Sequence, residues 1–269
     1  MNKRKALEAF KSYADLYDTD DIKIKVKIDH TYRVADIASR IAVSVGEDQE
    51  FSWFLGLLHD IGRFEQLTQY GTFKDADSVD HAELGADILF KDGLIGNFPL
   101  PSLPGMAIED VGRIAETAIR RHNKLTLPGG MDEKTLLYCK ILRDADKADI
   151  FRVLTEPPYD ERNERIVNDS SDGGVEAARE DVMDCVHEHR CVPRRSDFTL
   201  FEALISQCCM GFELEFTESV RIVREQGYLE HLMSLPVENA AMGTQLETLR
   251  TEMYRAWETR SSGNDNKKY

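Results

Sequence analysis

Nothing in this chain of 269 residues approaches an unbroken apolar run of roughly 18 residues, the length a membrane-spanning helix requires, so no span is expected. The opening MNKRKALEAF has basic residues but no apolar stretch behind them, and no secretory signal is expected there. Basic residues are in deficit: 34 Lys and Arg against 49 Asp and Glu give a net charge of −15. That balance excludes a general nucleic-acid binder, whose affinity depends on clustered cations meeting phosphates. It still permits a small anionic ligand, because a pocket or a bound cation reverses the field locally. Cysteines are few, five in all, with no regular framework, which points to reduced thiols and a cytoplasmic setting. CVHEHRC, residues 185–191, contains two Cys and two His. Their spacing of two turns them to different sides of a helix and no CxxC accompanies them, so they read as exposed helix residues rather than a zinc cluster.

Strand-like alternation is scarce as well. It is confined to stretches such as DIKIKVKID, which runs on into IDHTYRVADIASRIAVSV with a helical period. Helices are expected at about 5–17, 28–45, 50–67, 79–91, 109–123, 133–155, 174–188, 198–208, 211–226 and 239–258. Turn-forming residues separate them, and no internal repeat is visible. The acidic stretch 156–174 reads as a long surface loop. It divides a core, residues 1–155, from a helical part, residues 156–260, packed on that core. Residues 261–269 read as a disordered polar tail.

What the chain does have is a polar stripe inside an apolar helix. In SWFLGLLHDIGRFEQL, Trp53, Phe54, Leu57, Leu58, Ile61 and Phe64 cover most of the helix circumference, so the helix is expected to be buried. Gly56, His59, Asp60, Arg63 and Gln66 follow one another at spacings suited to a single face. A buried carboxylate beside a buried imidazole is costly unless it is paired or binds a metal. An isolated pair would read as a core hydrogen bond.

This pair has company. His30 begins the apolar stripe Val34, Ile37, Ile41 and Val45. His81 heads the stripe Leu84, Gly85, Ile88 and Leu89, inside a helix whose expected cap is Ser78. A helix N-terminus disfavours a protonated imidazole, which suits His81 to being a neutral ligand. His122 ends the stripe Val111, Ala115 and Ala118. Four of the seven histidines thus end core-facing stripes on separate helices, as a metal site in a helical bundle requires. ILRDADKADIF, residues 141–151, adds acids. Asp146 lies on the apolar side with Leu142 and Ile150, and Asp144 on a wetter side with Lys140 and Lys147. Periodicity favours Asp146 and leaves Asp144 open.

The order His30, His59-Asp60, His81, His122, Asp146 is set in the stretches DHTYRVADIASRIA, HDIGRF, DHAELGADIL and DADKADIF. Over about residues 25–155 it resembles the HD-domain superfamily of metal-dependent phosphohydrolases. The resemblance implies an all-α fold, an HD-domain helical bundle, here with additional C-terminal helices. It implies a metal ligand in Asp146 and a contact to substrate phosphate in Lys147. It also implies two divalent ions, drawn from Fe, Mn, Zn, Co or Ni. His30, His59, Asp60 and Asp146 would hold one, and Asp60, His81 and His122 the other, with Asp60 as the bridge. His59, Asp60 and Lys147 are then the expected catalytic residues. Arg63, one turn beyond His59, and Arg33, one turn beyond His30, are expected to bind substrate; Arg121 and Gln66 are further candidates.

The expected activity is that of a phosphohydrolase or phosphodiesterase acting on a nucleotide or another small phosphoester through metal-activated hydroxide. Departures from known branches narrow the substrate by exclusion. NKLTLPGG after His122 has neither a second His nor Gly-Tyr-Pro, which disfavours cyclic di-GMP cleavage. Ile61, Gly62, Arg63 and Phe64 stand where alarmone hydrolases carry an acidic pair. The rival class is the HD-fold mixed-valent di-iron oxygenase, acting on a phosphonate or a polyol. The amphipathic C-terminal helices are candidates for a pocket cover or a homodimer surface.

Overall fold

Helical periodicity is realised throughout, and no strand forms among the described residues, which are 2–170, 176–193 and 195–263 of this computed structural model. The helices are α1 (Lys3–Ala14), α2 (Ile22–Ser44), α3 (Gln49–Leu58), α4 (Ile61–Tyr70), α5 (His81–Ala86), α6 (Ile108–Arg121) and α7 (Glu133–Val153). They continue with α8 (Asp160–Asn168), α9 (Glu180–His187), α10 (Leu200–Cys208), α11 (Thr217–Gln226), α12 (Tyr228–Met233) and α13 (Ala240–Gly263). The fold is all-α, as expected. Two compact units divide the chain, Met1–Asp146 and Lys147–Tyr269, and the division falls inside α7 rather than at the acidic stretch. No described helix is long and apolar enough to cross a membrane.

In the first unit α2 and α3 lie against each other at backbone distance. A Cβ added to Gly56 would stand 2.5 Å from Ala35 Cα and 2.9 Å from Val34 O, so only glycine permits the approach. Phe51, Phe54, Leu55, Leu57 and Leu58 of α3 are fully buried. Tyr138 of α7 meets Phe51 edge to face, with ring centroids 4.7 Å apart, and its hydroxyl accepts from Asp48 N–H at 3.3 Å. From α1, Phe10 and Tyr13 pack on Phe64, and Tyr13 donates its hydroxyl to Ile61 O at 3.1 Å. These contacts fix the first turn of α4.

The expected helix 50–67 is two helices. His59 keeps a helical backbone as the C-cap of α3, and Asp60 leaves it at φ −104° and ψ 18° before α4 begins. Aspartate is favoured at such a start, yet its side chain makes no cap bond and is free for the site. Other boundaries differ too. Asp21 caps α2 at Lys23 N–H (2.7 Å), so DIKIKVKID is helical although it alternates. The cap of α5 is Asp80, which accepts from Ala82 and Glu83, and not Ser78. The acidic stretch is not all loop: α8 forms on one fully buried side chain, Ile166, and on Asn163, which donates to Leu154 O at 2.7 Å. Part of that stretch, 171–174, lies outside the described residues.

The second unit adds α12, which was not expected, while α9 and α11 start later than expected. Its α10 opens on a reciprocal capping box between Thr199 and Glu202. The expected tail begins as the end of α13, and 264–269 lie outside the described residues. CVHEHRC is only partly exposed. Cys185 is buried, and His189 takes φ 53°, stacks on Phe212 and bonds Glu252 Oε2 at 2.8 Å. Helix α9 stops at His187, so the helical spacing assumed for these residues ends midway.

Candidate metal centre

Helix ends build the centre. His59 and His122 are the C-caps of α3 and α6, His81 is the first residue of α5, and Asp60 occupies the α3–α4 junction. His30 projects from the body of α2 and Asp146 from α7. His30, His59, Asp60, His81 and His122 are all buried, and the Asp146 side chain is 14% exposed. A second close approach sets α5 against α4: a Cβ on Gly62 would lie 2.3 Å from His81 O and 2.6 Å from Gly85 N.

The two oxygens of Asp60 face different partners. Oδ2 lies 3.7 Å from His30 Nε2 and 3.5 Å from His59 Nε2. Asp146 Oδ1 closes that side at 3.2 Å from His30 Nε2 and 3.6 Å from His59 Nε2. Oδ1 of Asp60 lies 3.5 Å from His81 Nε2 and 3.6 Å from His122 Nε2. The ligand atoms form overlapping groups within 4.8 Å of one another: His30, His59 and Asp60; Asp60, His81 and His122; His59, His122 and Asp146, which spans the two sides; and Asp75, Asp80 and His81.

Their proton positions fit a cation. His59 Nδ1 is 2.7 Å from Gly56 O, and His122 Nδ1 is 2.7 Å from Ile119 O. A carbonyl only accepts, so both Nδ1 atoms carry hydrogen and both Nε2 atoms present lone pairs to the centre. His81 Nδ1 lies 2.9 and 2.8 Å from the two Asp75 oxygens, which fixes the same tautomer. His81 Nε2 and His122 Nε2 then face each other at 3.0 Å. Two lone pairs at that distance repel unless positive charge lies between them, and His59 Nε2 has no hydrogen-bond partner. Buried lone pairs converging on carboxylates are the donor set of a divalent transition metal.

The electrostatics agree. Burial alone would raise the Asp60 carboxyl, but Lys27 first, then His59, His122 and Arg63, hold it well below the usual range. Asp146 is likewise held down against its burial by His30 and His59. Burial, with Arg63 adding to it, pushes the His81 imidazole down to about 3, against the pull of Asp75 and Asp60. A neutral ring is the ligating form.

Sequence reasoning missed two members of this surround. Lys27 donates to Asp60 Oδ2 at 2.8 Å; its spacing of three from His30 was the available signal. Asp75 sits in the segment before α5, where nothing in the local pattern marks it. Arg63, expected to bind substrate, is engaged by this surround. Its Nη1 donates to Gln66 Oε1 (2.8 Å), Phe73 O (2.6 Å) and Asp75 Oδ1 (3.0 Å), and its Nε stands 3.7 Å from Asp60 Oδ1. Gln66 donates to Asp75, Ser78 and Val79. Lys147 donates to Glu213 Oε2 at 2.6 Å. Arg33 is half-buried on α2, and Arg121 is 3.7 Å from Glu83. Asp144, assigned to the wetter side, is 1% exposed, yet Asp146 is the acid within reach of the imidazoles.

A centre of this kind ties folding to metal. Loading the protein with Mn²⁺ at about 100 times its dissociation constant should raise the unfolding free energy by roughly 2.7 kcal/mol per site. Thermal melts with Mn²⁺ and after chelation read this out, and coincident melts would contradict it.

Residues 28–150 match the family model described as HD domain. No curated protein and no solved structure matches the chain.

Proposed function

We propose that this protein hydrolyses a small phosphoester or phosphoanhydride, such as a nucleotide, at a dinuclear centre; the match of residues 28–150 to the model of the HD domain, a family of metal-dependent phosphohydrolases, supports the reading. The observation that carries the reading is the division of labour at Asp60, whose two oxygens face two separate pairs of imidazoles. His30, His59, Asp60 and Asp146 would hold one ion, and Asp60, His81 and His122 the other. When bound, such ions supply an activated water and neutralise charge on the phosphoryl oxygens.

The chain's own groups do the rest. Lys27 keeps Asp60 ionised in a buried place where a carboxylate would otherwise protonate. Arg63 and Gln66 hold Asp75, which holds the His81 ring; Arg63 thus serves the centre as a positioning residue. Lys147, next in the chain to Asp146, is the cation assigned to the substrate phosphate. Its Nζ pairs with Glu213 Oε2 at 2.6 Å, which fixes where the ammonium stands.

The test is a panel of phosphomonoesters, phosphodiesters and nucleotides with Mn²⁺-loaded protein under anaerobic conditions. Phosphate or nucleotide release supports hydrolysis. Turnover only with iron, accompanied by oxygen uptake, would replace it with the oxygenase chemistry. Lys147→Ala should leave metal content intact and lower kcat by about 100-fold, the scale of one lost charge-stabilising donor. Unchanged kinetics across the panel would return Lys147 to a purely structural pair with Glu213.

A further inference from the structure

The two halves of the centre are not built alike. The half around Asp60 Oδ2 offers four protein atoms, from Asp60, His30, His59 and Asp146. The half around Oδ1 offers three, from Asp60, His81 and His122, and only one of these is anionic. On donor count alone the second half is the weaker. The surrounding hydrogen bonds are also unequal. His59 and His122 each give their Nδ1 proton to a backbone carbonyl one turn back in their own helix, at 2.7 Å. His81 instead gives its proton to a carboxylate, with Asp75 Oδ1 and Oδ2 at 2.9 and 2.8 Å.

That carboxylate is held from several directions. Arg63 Nη1 and Gln66 Nε2, from α4, each reach Asp75 Oδ1 at 3.0 Å. Asn123, the residue after His122, donates to Asp75 Oδ2 at 3.3 Å and to the α5 cap Asp80 at 2.9 Å. Asp75 therefore touches one ligand directly and is tied to the residue beside another. An imidazole whose far nitrogen donates to a carboxylate is a more electron-rich ligand, and its ring is locked in one orientation.

Building on the dinuclear reading, we propose that Asp75 is the positioning residue of the second half of the centre, setting how tightly that half holds its cation while leaving the first half unchanged. It compensates in charge and alignment for the missing fourth donor. Asparagine with its oxygen at the Oδ1 position still accepts from Nδ1, Arg63 and Gln66; it removes the charge and gives up the 3.3 Å bond from Asn123, a loss that Asn123→Ala reproduces by itself.

The experiment is an Mn²⁺ titration of the full chain, with bound metal measured by elemental analysis at fixed free Mn²⁺ and the coupled two-ion signal followed by electron paramagnetic resonance. Wild type is expected to take two ions. Asp75→Asn should bind the first with wild-type affinity and the second about 10–100-fold more weakly, losing the coupled signal until Mn²⁺ is raised. His81→Ala supplies the one-ion reference. Asn123→Ala, which loosens Asp75 without altering its charge, should weaken the second ion less than Asp75→Asn, and it carries the test if Asp75→Asn does not fold. Two ions bound at wild-type affinity by both variants would overturn the inference and leave the dinuclear reading standing. Parallel weakening of both ions would overturn it too, since Asp75 would then serve the whole unit. A wild-type protein that never takes more than one ion would overturn the dinuclear reading itself.

Discussion

Asp60→Ala is expected to strip the protein of both metal ions and of all turnover above background. On the proposed dinuclear assignment Asp60 is a member of both halves, through Oδ2 on one side and Oδ1 on the other. Removing it leaves the first half with Asp146 as its only carboxylate and the second half with none. Among the imidazoles that remain, His81 and His122 already face each other lone pair to lone pair. The truncation also leaves the Lys27 ammonium, 12% exposed, without the carboxylate it bonds, and an unpaired cation at such a place is destabilising. Lys27 therefore becomes a companion test. Asp60→Ala combined with Lys27→Met should recover part of the lost stability and none of the metal. Elemental analysis and urea denaturation separate the two effects, and an Asp60→Ala protein that keeps two ions and turns over substrate would refute the assignment.

Gly62→Ala should be nearly as damaging, although it changes no polar atom. The added methyl would stand 2.3 Å from His81 O and 2.6 Å from Gly85 N, both backbone atoms that cannot rotate away. Helices α4 and α5 must separate, and with them the junction that carries Asp60 and the first residue of α5, His81. Overpacking typically costs 1–3 kcal/mol, and about 3 kcal/mol is expected here because backbone must move. The same movement pulls His81 from Asp60 Oδ1, so metal content should fall to about one ion per chain. Gly71→Ala makes a contrasting control. Nothing lies within 4 Å of a Cβ there, and its cost is confined to a backbone φ of 69°. Equal denaturation midpoints and metal contents for wild type and Gly62→Ala would contradict the packing argument.

The sequence made the site legible through position more than through any one residue. His30, His59, His81 and His122 stand at the ends of apolar stripes, and periodicity carries each of those stripes to a common core. Asp146 was readable for the same reason. The break between His59 and Asp60 was not. Apolar residues continue across it, so pattern alone merges α3 and α4, and only the Asp60 backbone dihedrals reveal the turn. That turn matters, because neighbours on an unbroken helix diverge by about 100° and could not share a site so closely. Asp75 was invisible because its role depends on a loop returning over α4, a tertiary relation without local periodicity. Arg63 was legible as belonging to the site side of its helix, but its partners, Phe73 O and Asp75, come from that same loop. The helix within the acidic stretch was hidden for a different reason. A single buried Ile166 and one Asn163 hydrogen bond anchor α8, too little apolar signal to stand out among so many charges.

Anomalous scattering from crystals of Mn²⁺-loaded protein tests the central claim most directly. Two peaks about 3.5–4 Å apart, one beside each oxygen of Asp60, are the predicted result. A single peak on one side of Asp60, or peaks ligated by residues outside the His30, His59, Asp60, His81, His122 and Asp146 set, would contradict it.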